Sequence, residues 1–339
     1  MKAMYYTQYG SPDVLTYQEV ATPTPADDEI LIQVHAAALN AYDWHILRAD
    51  PFLARFSRGL FKPTNSIPGA DVAGVVAAVG RNVTGFQPGD AVYADLSPCG
   101  DGAFAEYACA QAQYAAPMPA NLTFEEAASV PMAAVTALQA LRDVGKVQPG
   151  QRVLINGASG GVGTFAVQIA KVLDLDVTAV CSTRKMEMVR ALGADHVIDY
   201  TQEDFTRSGR QYDVILGING YRPLTDYKRA LTPGGIYVMV GGTNTQIFQA
   251  LLLGSLRSLG SGRTMTTITM KPNRADLLTM KELIETGKVK PIIDRCYPLA
   301  ETADAFRYLE EGHAKGKIVI SVIPGDRAPA AQSAERSAA

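Results

Sequence analysis

The stretch that most constrains this chain is INGASGGVG, residues 155–163, which follows the apolar run RVL. Four of its nine residues are glycine, so the backbone there is bare enough for a ligand to reach it. The loop stands between a predicted strand, QRVLING, and a predicted helix, VGTFAVQIAKVLD. That context makes a glycine loop credible as a dinucleotide site. Written Ala158-x-Gly160-x-x-Gly163, it departs from the full pattern at the first glycine. Alanine there costs backbone freedom but is expected still to make the turn. Gly160 and Gly161 would admit a pyrophosphate, and Gly163 would let helix and strand pack closely. With Ser159 and Val162 they form the predicted cofactor loop, facing the positive end of the helix over 162–172. The competing reading is a glycine-rich turn with no ligand, which the βαβ units that follow make the weaker one.

An acidic residue is expected at the end of the next strand, after DVTAVC, to bind the adenosine ribose. Ser182, Thr183, Arg184 and Lys185 stand there instead. A hydroxyl and two cations accept a 2′-phosphate that a carboxylate would repel. The expected cofactor is therefore NADP(H) rather than NAD(H). The alternative is a solvated first helical turn.

Around this loop the chain changes character twice. Residues 1–125 read as short strands cut by Gly and Pro turns, as in EILIQVHAAAL, PGADVAGVVAAVG and GDAVYAD, which suggests a compact β domain. Near NLTFEEAASV, Asn121 or Thr123 can cap a helix. Strands and helices then alternate to about residue 270, the rhythm of a doubly wound parallel sheet. The expected division is 1–125 with 271–326 for the β domain, 126–270 for the dinucleotide domain, and a frayed tail over 327–339. TMTTITM, residues 264–270, reads as an edge strand, and exposed edges invite pairing.

The net charge of -3 supplies no basic field for a nucleic acid. Cys99, Cys109, Cys181 and Cys296 are scattered with no CxxC pair, which favours free thiols. The opening MKAMYYTQYG lacks a signal-peptide core, and no apolar run is long enough to span a bilayer. The expectation is a cytoplasmic protein without a membrane partner.

Five ordered segments then carry a resemblance: IPGADVAGVVAAVG with GDAVYA, PMAAVTALQAL, INGASGGVG, ALGADHVIDY and HAKGKIVISV. Together they resemble the medium-chain dehydrogenase/reductase superfamily, in its zinc-free quinone oxidoreductase branch. The resemblance implies an α/β fold: a GroES-like β domain built from both chain ends, a Rossmann domain between, and a cofactor cleft where they meet. It implies that Thr136 reaches the nicotinamide amide, that Tyr200 lies beside the 2′-phosphate, and that Gly241 turns near the nicotinamide. It also implies cofactor-side roles for Lys317 and for Asn40, near the nicotinamide ribose, and a homodimer joined through the Rossmann sheets.

The zinc enzymes of that superfamily carry Cys and His ligands where this chain has Asn40 and Ala70, and only Cys99 stands in the loop around 95–105. A zinc site needs three or four N or S ligands, so no metal is expected. Reducing a simple ketone puts full negative charge on one oxygen, which zinc would stabilise. An α,β-unsaturated carbonyl spreads that charge into an enolate, and a quinone spreads it over a ring, so ordinary donors suffice. The expected acceptor is a quinone or conjugated enone. A secondary alcohol/ketone reductase, or an NADPH-binding sensor or structural protein with little turnover, remains open. Tyr42, His45 and Asp43, in NAYDWHI, are the candidate proton-transfer groups, with structural roles as the alternatives. Trp44, Phe52, Phe56 and Phe61 are candidates to line an apolar acceptor site, and the insert DPFLARFSRGLFKPTNS reads as either a lid or a surface loop.

Overall fold

The computed structural model describes residues 1–52, 55–220, 222–241 and 262–323. The tail beyond 323, and with it the expectation of a frayed end over 327–339, lies outside the described residues.

Six parallel strands form the central sheet, in the spatial order 196–199, 176–181, 152–156, 212–217, 231–239, 264–267. The first strand in sequence, Arg152–Asn156, sits mid-sheet, and the strand order reverses between it and Tyr212–Gly217. Ligands bind open α/β sheets at such a switch point, beyond the carboxyl ends of the strands. Val153, Leu154 and Ile155 are fully buried, as strands covered by helices on both faces require. The helix Gly161–Val172 lays Phe165, Ala166, Ile169 and Ala170 into the core. At one end of the sheet stands Thr264–Thr267, so the edge strand expected over 264–270 is present in its first four residues.

A second sheet of seven strands carries the β domain. Its long strand Glu29–Leu39 pairs antiparallel with Asp71–Val79 and Tyr107–Gln111, and also with the late strand Lys317–Ser321, where Ile318 faces Leu39. Both chain ends thus share one sheet. Thr123 rather than Asn121 caps the helix Phe124–Ala128, through reciprocal bonds with Glu126, a capping box.

The two sheets share one core. The helix Pro131–Gln139 is buried along its whole length and packs on Gly161–Val172 and on Arg274–Glu285. One apolar cluster runs from Ala36, Tyr93 and Val319 to Leu138, Val153 and Phe165. Tyr93 Oη, inside that core, donates to the Leu277 carbonyl at 2.5 Å. Burying that much apolar surface between the sheets holds the crevice walls in register.

Candidate active site

The glycine loop sits at the switch point, but its turn is made one residue earlier than the sequence suggests. Gly157 has φ +89°, and a Cβ there would meet the Asn219 nitrogen at 2.8 Å. The first glycine of the pattern is therefore present, and Ala158 follows the turn, buried behind it. The expectation that alanine makes the turn is corrected by this φ.

Gly163 fills the predicted packing role. A Cβ there would lie 2.2 Å from the Gly157 carbonyl oxygen and 2.7 Å from the Ala158 backbone. Gly160 is different: at φ -86° and ψ -179° it caps the helix in an extended conformation open to any residue, and a Cβ there would meet nothing nearer than 3.7 Å. The protein leaves space above Gly160 at a helix N-terminus whose first N–H groups have no helical acceptor. These residues fit a pyrophosphate.

The β domain closes on this loop through its last strand. Gly316 N–H donates to the Ser159 carbonyl at 3.0 Å, and Gly316 bridges Gly160. The stem of Lys317 lies so close to Gly161 that a Cβ there would meet Lys317 Cδ at 2.9 Å. Lys317 itself is 3% exposed. Its Nζ donates to Asn40 Oδ1 at 2.5 Å and approaches Asp71 Oδ2 at 3.4 Å. Asn40 Nδ2 donates to the same Asp71 oxygen at 2.9 Å, and Met132 N–H donates to Asp71 Oδ1 at 2.9 Å. Asp71 thus ties the β domain to the start of the helix that carries Thr136, which is itself buried. Burial pushes the Asp71 carboxyl up, while Lys317 and these donors pull it back. Lys317 and Asn40 meet here, with Asp71 as the third member of the cluster.

Asp43 holds a loop. Its carboxylate accepts from Asn40 N–H at 2.8 Å and from Ala70 N–H at 3.0 Å. Full burial, then the nearby Asp101 charge, push it well above the usual carboxylate range. His45 is committed too: Nδ1 lies 2.5 Å from the Asp50 carbonyl oxygen, across the turn that follows its helix Ala41–Arg48. Tyr42 Oη donates to Asp101 Oδ1 at 3.0 Å and accepts from Arg58. Burial and the Asp101 charge hold the phenol far above its ordinary pKa, so it stays protonated. Arg58 also pairs with Asp101 at 3.3 Å and donates to the Ser97 carbonyl. Arg58, Ser97 and Asp101 carried no sequence signal, because they come from two segments distant from Tyr42 in the chain.

Asp95 was also missed. It faces Asp71 directly across two antiparallel strands and is 3% exposed. Burial and the Asp71 charge push its carboxyl up to about 7.

At the far end of the crevice, Ser182 follows the strand Asp176–Cys181, and Tyr200 N–H donates to the Cys181 carbonyl. Tyr200 and Ser182 therefore stand side by side, Tyr200 with its ring exposed. Arg184 is exposed, with no ion pair or hydrogen bond among the described residues. Lys185 Nζ donates to the Ala314 carbonyl at 2.8 Å, so it clamps the two domains. A carboxylate does stand nearby, on the next strand: Asp199 accepts from Thr183 Oγ1 and from Thr201 N–H and Oγ1. Those three donors hold its charge below the usual carboxylate range and use it within the turn. Gly241 N–H donates to the Gly217 carbonyl, and a Cβ at Gly241 would meet the Ile218 carbonyl oxygen at 2.8 Å.

Trp44 does not join an aromatic acceptor wall. Its indole donates to Glu310 at 2.7 Å and packs into the β-domain core, while Phe52, Phe56 and Phe61 stand mostly exposed. Among the described residues no three His, Cys, Asp or Glu side chains converge as a metal site. Ala70 offers no ligand atom, and the Asn40 amide oxygen already holds the Lys317 ammonium.

Comparison with known proteins agrees with this geometry. Residues 26–120 match the alcohol dehydrogenase GroES-like domain, and residues 192–320 match a family described as zinc-binding dehydrogenase. The chain is 38% identical over 335 residues to a 2-methylene-furan-3-one reductase of Solanum lycopersicum, covering 96% of this chain and 80% of that one. It is 36% identical over 339 residues to a chloroplastic NADPH-dependent alkenal/one oxidoreductase of Arabidopsis thaliana, with 96% and 80% covered. The quinone oxidoreductase structure from Coxiella burnetii superposes with a TM-score of 0.85 at 30% identity, over 95% of this chain and 99% of that one. A buried Lys317–Asn40–Asp71 cluster beside a glycine loop at the switch point agrees with these likenesses: the chain belongs to the medium-chain dehydrogenase/reductase superfamily, in its zinc-independent quinone oxidoreductase branch.

Proposed function

We propose that this protein is a zinc-independent, NADPH-dependent oxidoreductase that delivers hydride to a quinone or an α,β-unsaturated carbonyl. One observation carries the reading: Gly160 has open space above it, and the Lys317–Asn40–Asp71 cluster adjoins the same loop through the Gly316 bridge and the Lys317 stem beside Gly161. NADPH, when bound, supplies the hydride. Ser159, Gly160, Gly161, Val162 and Gly163 would hold the pyrophosphate, with Ser182, Arg184 and Tyr200 at the 2′-phosphate and Thr136, Gly241 and Asn40 toward the nicotinamide.

The chain's own residues then divide the work. The Lys317 ammonium fixes the Asn40 amide and offsets the Asp71 charge, so the crevice floor is neutral and rigid. Asp43 holds the Asn40 and Ala70 backbone in place. Tyr42, kept protonated, spends its one proton on Asp101, so it would donate toward an enolate oxygen only by releasing that bond, and solvent is the other proton source. Among the described residues no ligand set for zinc stands at Ala70, so a simple ketone would meet only such donors. Acceptors that spread their charge are favoured.

The test is NADPH consumption with three acceptors under one condition: a quinone, an enone and a simple ketone. Turnover of the first two, with the ketone at least about a hundredfold slower, is expected. A ketone that is turned over as fast as the enone sinks the reading. Binding of NADPH with no acceptor consumed favours the sensor alternative.

Coenzyme choice is tested separately. Arg184→Ala with Lys185→Ala is expected to raise the KM for NADPH about tenfold or more, the scale of losing a charge-assisted phosphate contact, and to leave the KM for NADH nearly unchanged. Equal changes for both coenzymes would remove the phosphate assignment. Lys185 also clamps Ala314, so Arg184→Ala alone is expected to show the selectivity most cleanly.

The same reading includes a homodimer joined along the strand Thr264–Thr267, since it ends the sheet among the described residues and unpaired edges seek partners. A single-chain mass by light scattering would remove it.

A further inference from the structure

Asp71 and Asp95 are paired in register across adjacent antiparallel strands. Directly opposed residues project to one face of the sheet with Cβ atoms about 5 Å apart. Both carboxyls are buried, yet their surroundings differ. Asp71 collects the Lys317 ammonium, the Asn40 amide and the Met132 N–H. Asp95 has one oxygen on Ser97 N–H at 2.8 Å, and its Oδ2 has no partner. The Lys317 ammonium stands at Asp71, whereas the charges that reach Asp95 are those of the Asp71 and Asp101 carboxylates. Like charges this close cannot both ionise without a second cation.

We propose that Asp95 is a positioning residue for the cofactor crevice: as a neutral acid it leaves Lys317 to Asp71 and Asn40 alone, and on ionising it draws that ammonium away. The consequence reaches the glycine loop through contacts already described. The Lys317 stem supports Gly161, its ammonium fixes Asn40, and the adjoining Gly316 binds Ser159. A shifted Lys317 would loosen all three at once.

Among the described residues, the elements packed against Asp95 supply no other cation to take the load. From the turn after its own strand, Asp95 meets Ser97, the Cys99 thiol, which its charge raises, and the Asp101 charge, which raises Asp95 itself. Arg58 is paired with Asp101 and bonded to Tyr42. Asp43, on the neighbouring helix, adds a further acid to the cluster. The helix Phe124–Ala128, packed against the Asp95 strand, brings only Glu125, bonded by Ser321, and Glu126, used in its cap. The helix Pro131–Gln139 and the strand Ala115–Pro117 bring no titratable group.

The sign follows from the raised carboxyl. The neutral form of Asp95 is the one the fold prefers, so its contribution is complete at acid pH and is lost as pH rises through about 7. Asp95→Asn keeps the shape and stays neutral throughout.

The experiment compares the full-length protein with Asp95→Asn between pH 6 and pH 8.5. NADPH affinity is read by nicotinamide fluorescence, and thermal midpoint is read without cofactor. Titration of the NADPH 2′-phosphate is common to both proteins and cancels. The unsubstituted protein is expected to lose about tenfold more affinity than Asp95→Asn over this range, the scale of one lost charge-assisted contact. Its cofactor-free midpoint should fall with pH while that of Asp95→Asn stays level. Asp95→Ala, also neutral, should repeat the pattern if the asparagine variant folds poorly. Tight binding with identical pH slopes in all proteins overturns the positioning role. Absence of NADPH binding in every protein at every pH sinks the cofactor reading together with the role that depends on it.

Discussion

Lys317→Met is expected to cost about 3–5 kcal/mol of stability, the scale for removing one partner of a buried ion pair. Methionine keeps most of the stem that packs on Gly161, so the loss isolates the charge. Asp71 is completely buried. Without the ammonium it retains the Asn40 amide and the Met132 N–H, which orient a carboxylate but cannot neutralise it. The variant should therefore take up a proton at Asp71 on folding. Its folded carboxyl then lies further above the unfolded value, so stability persists at acid pH and drains away as pH rises. Urea denaturation of both proteins at pH 5 and pH 8 measures this, with the gap wider at pH 8. Adding Asp71→Asn to Lys317→Met should restore most of the loss, because the orphaned charge is gone. A loss below about 1 kcal/mol at both pH values, the range of a surface pair, would show that the cluster is hydrated and that its charges do not depend on one another.

That cluster marks the boundary of what the sequence discloses. The sheet was legible because its strands are apolar runs of the right length, separated by helices with a helical period, and order within such a sheet is restricted by handed connections. The joining of the chain ends came from the resemblance alone, since no local pattern tells strand 317–321 to pair with 29–39. The glycine loop was legible in kind but one residue out in register. Gly157 was read as the last residue of a strand, and only its φ shows that it makes the turn.

The candidate acids fared differently, and for a physical reason. NAYDWHI places Tyr42, Asp43 and His45 within one helix, where spacing says which side chains share a face but not what meets them. Asp43 meets backbone N–H groups, His45 the Asp50 carbonyl, and Tyr42 an Arg and an Asp from other loops. Asp95 was invisible because AVYAD ends like many strands. Its character comes from facing Asp71, and that pairing is a matter of register. Asp199 stands in ALGADHVIDY, and nothing in that run shows that Thr183 and Thr201 take up its carboxylate.

The glycine loop itself yields the sharpest separation of fold from function. Gly163→Ala puts a methyl group 2.2 Å from the Gly157 carbonyl oxygen. That oxygen belongs to a turn made by a positive-φ residue wedged against Asn219, so it has little room to retreat. Overpacking of this kind costs about 2–3 kcal/mol, set against roughly 1 kcal/mol of better helix propensity for alanine. The variant is expected to unfold at clearly lower urea with or without cofactor. Gly160→Ala meets no protein atom nearer than 3.7 Å and has a φ that alanine adopts freely. Its cofactor-free stability should change by less than about 1 kcal/mol, the scale of a weakened helix cap. Its methyl group would nevertheless stand where a pyrophosphate must approach the backbone, so NADPH affinity should fall at least about tenfold. The two substitutions are the same chemical change three residues apart, and equilibrium unfolding together with NADPH titration distinguishes them. If Gly160→Ala binds NADPH as tightly as the unsubstituted protein, the space above Gly160 is not the phosphate site, and the cofactor must enter the crevice by another wall.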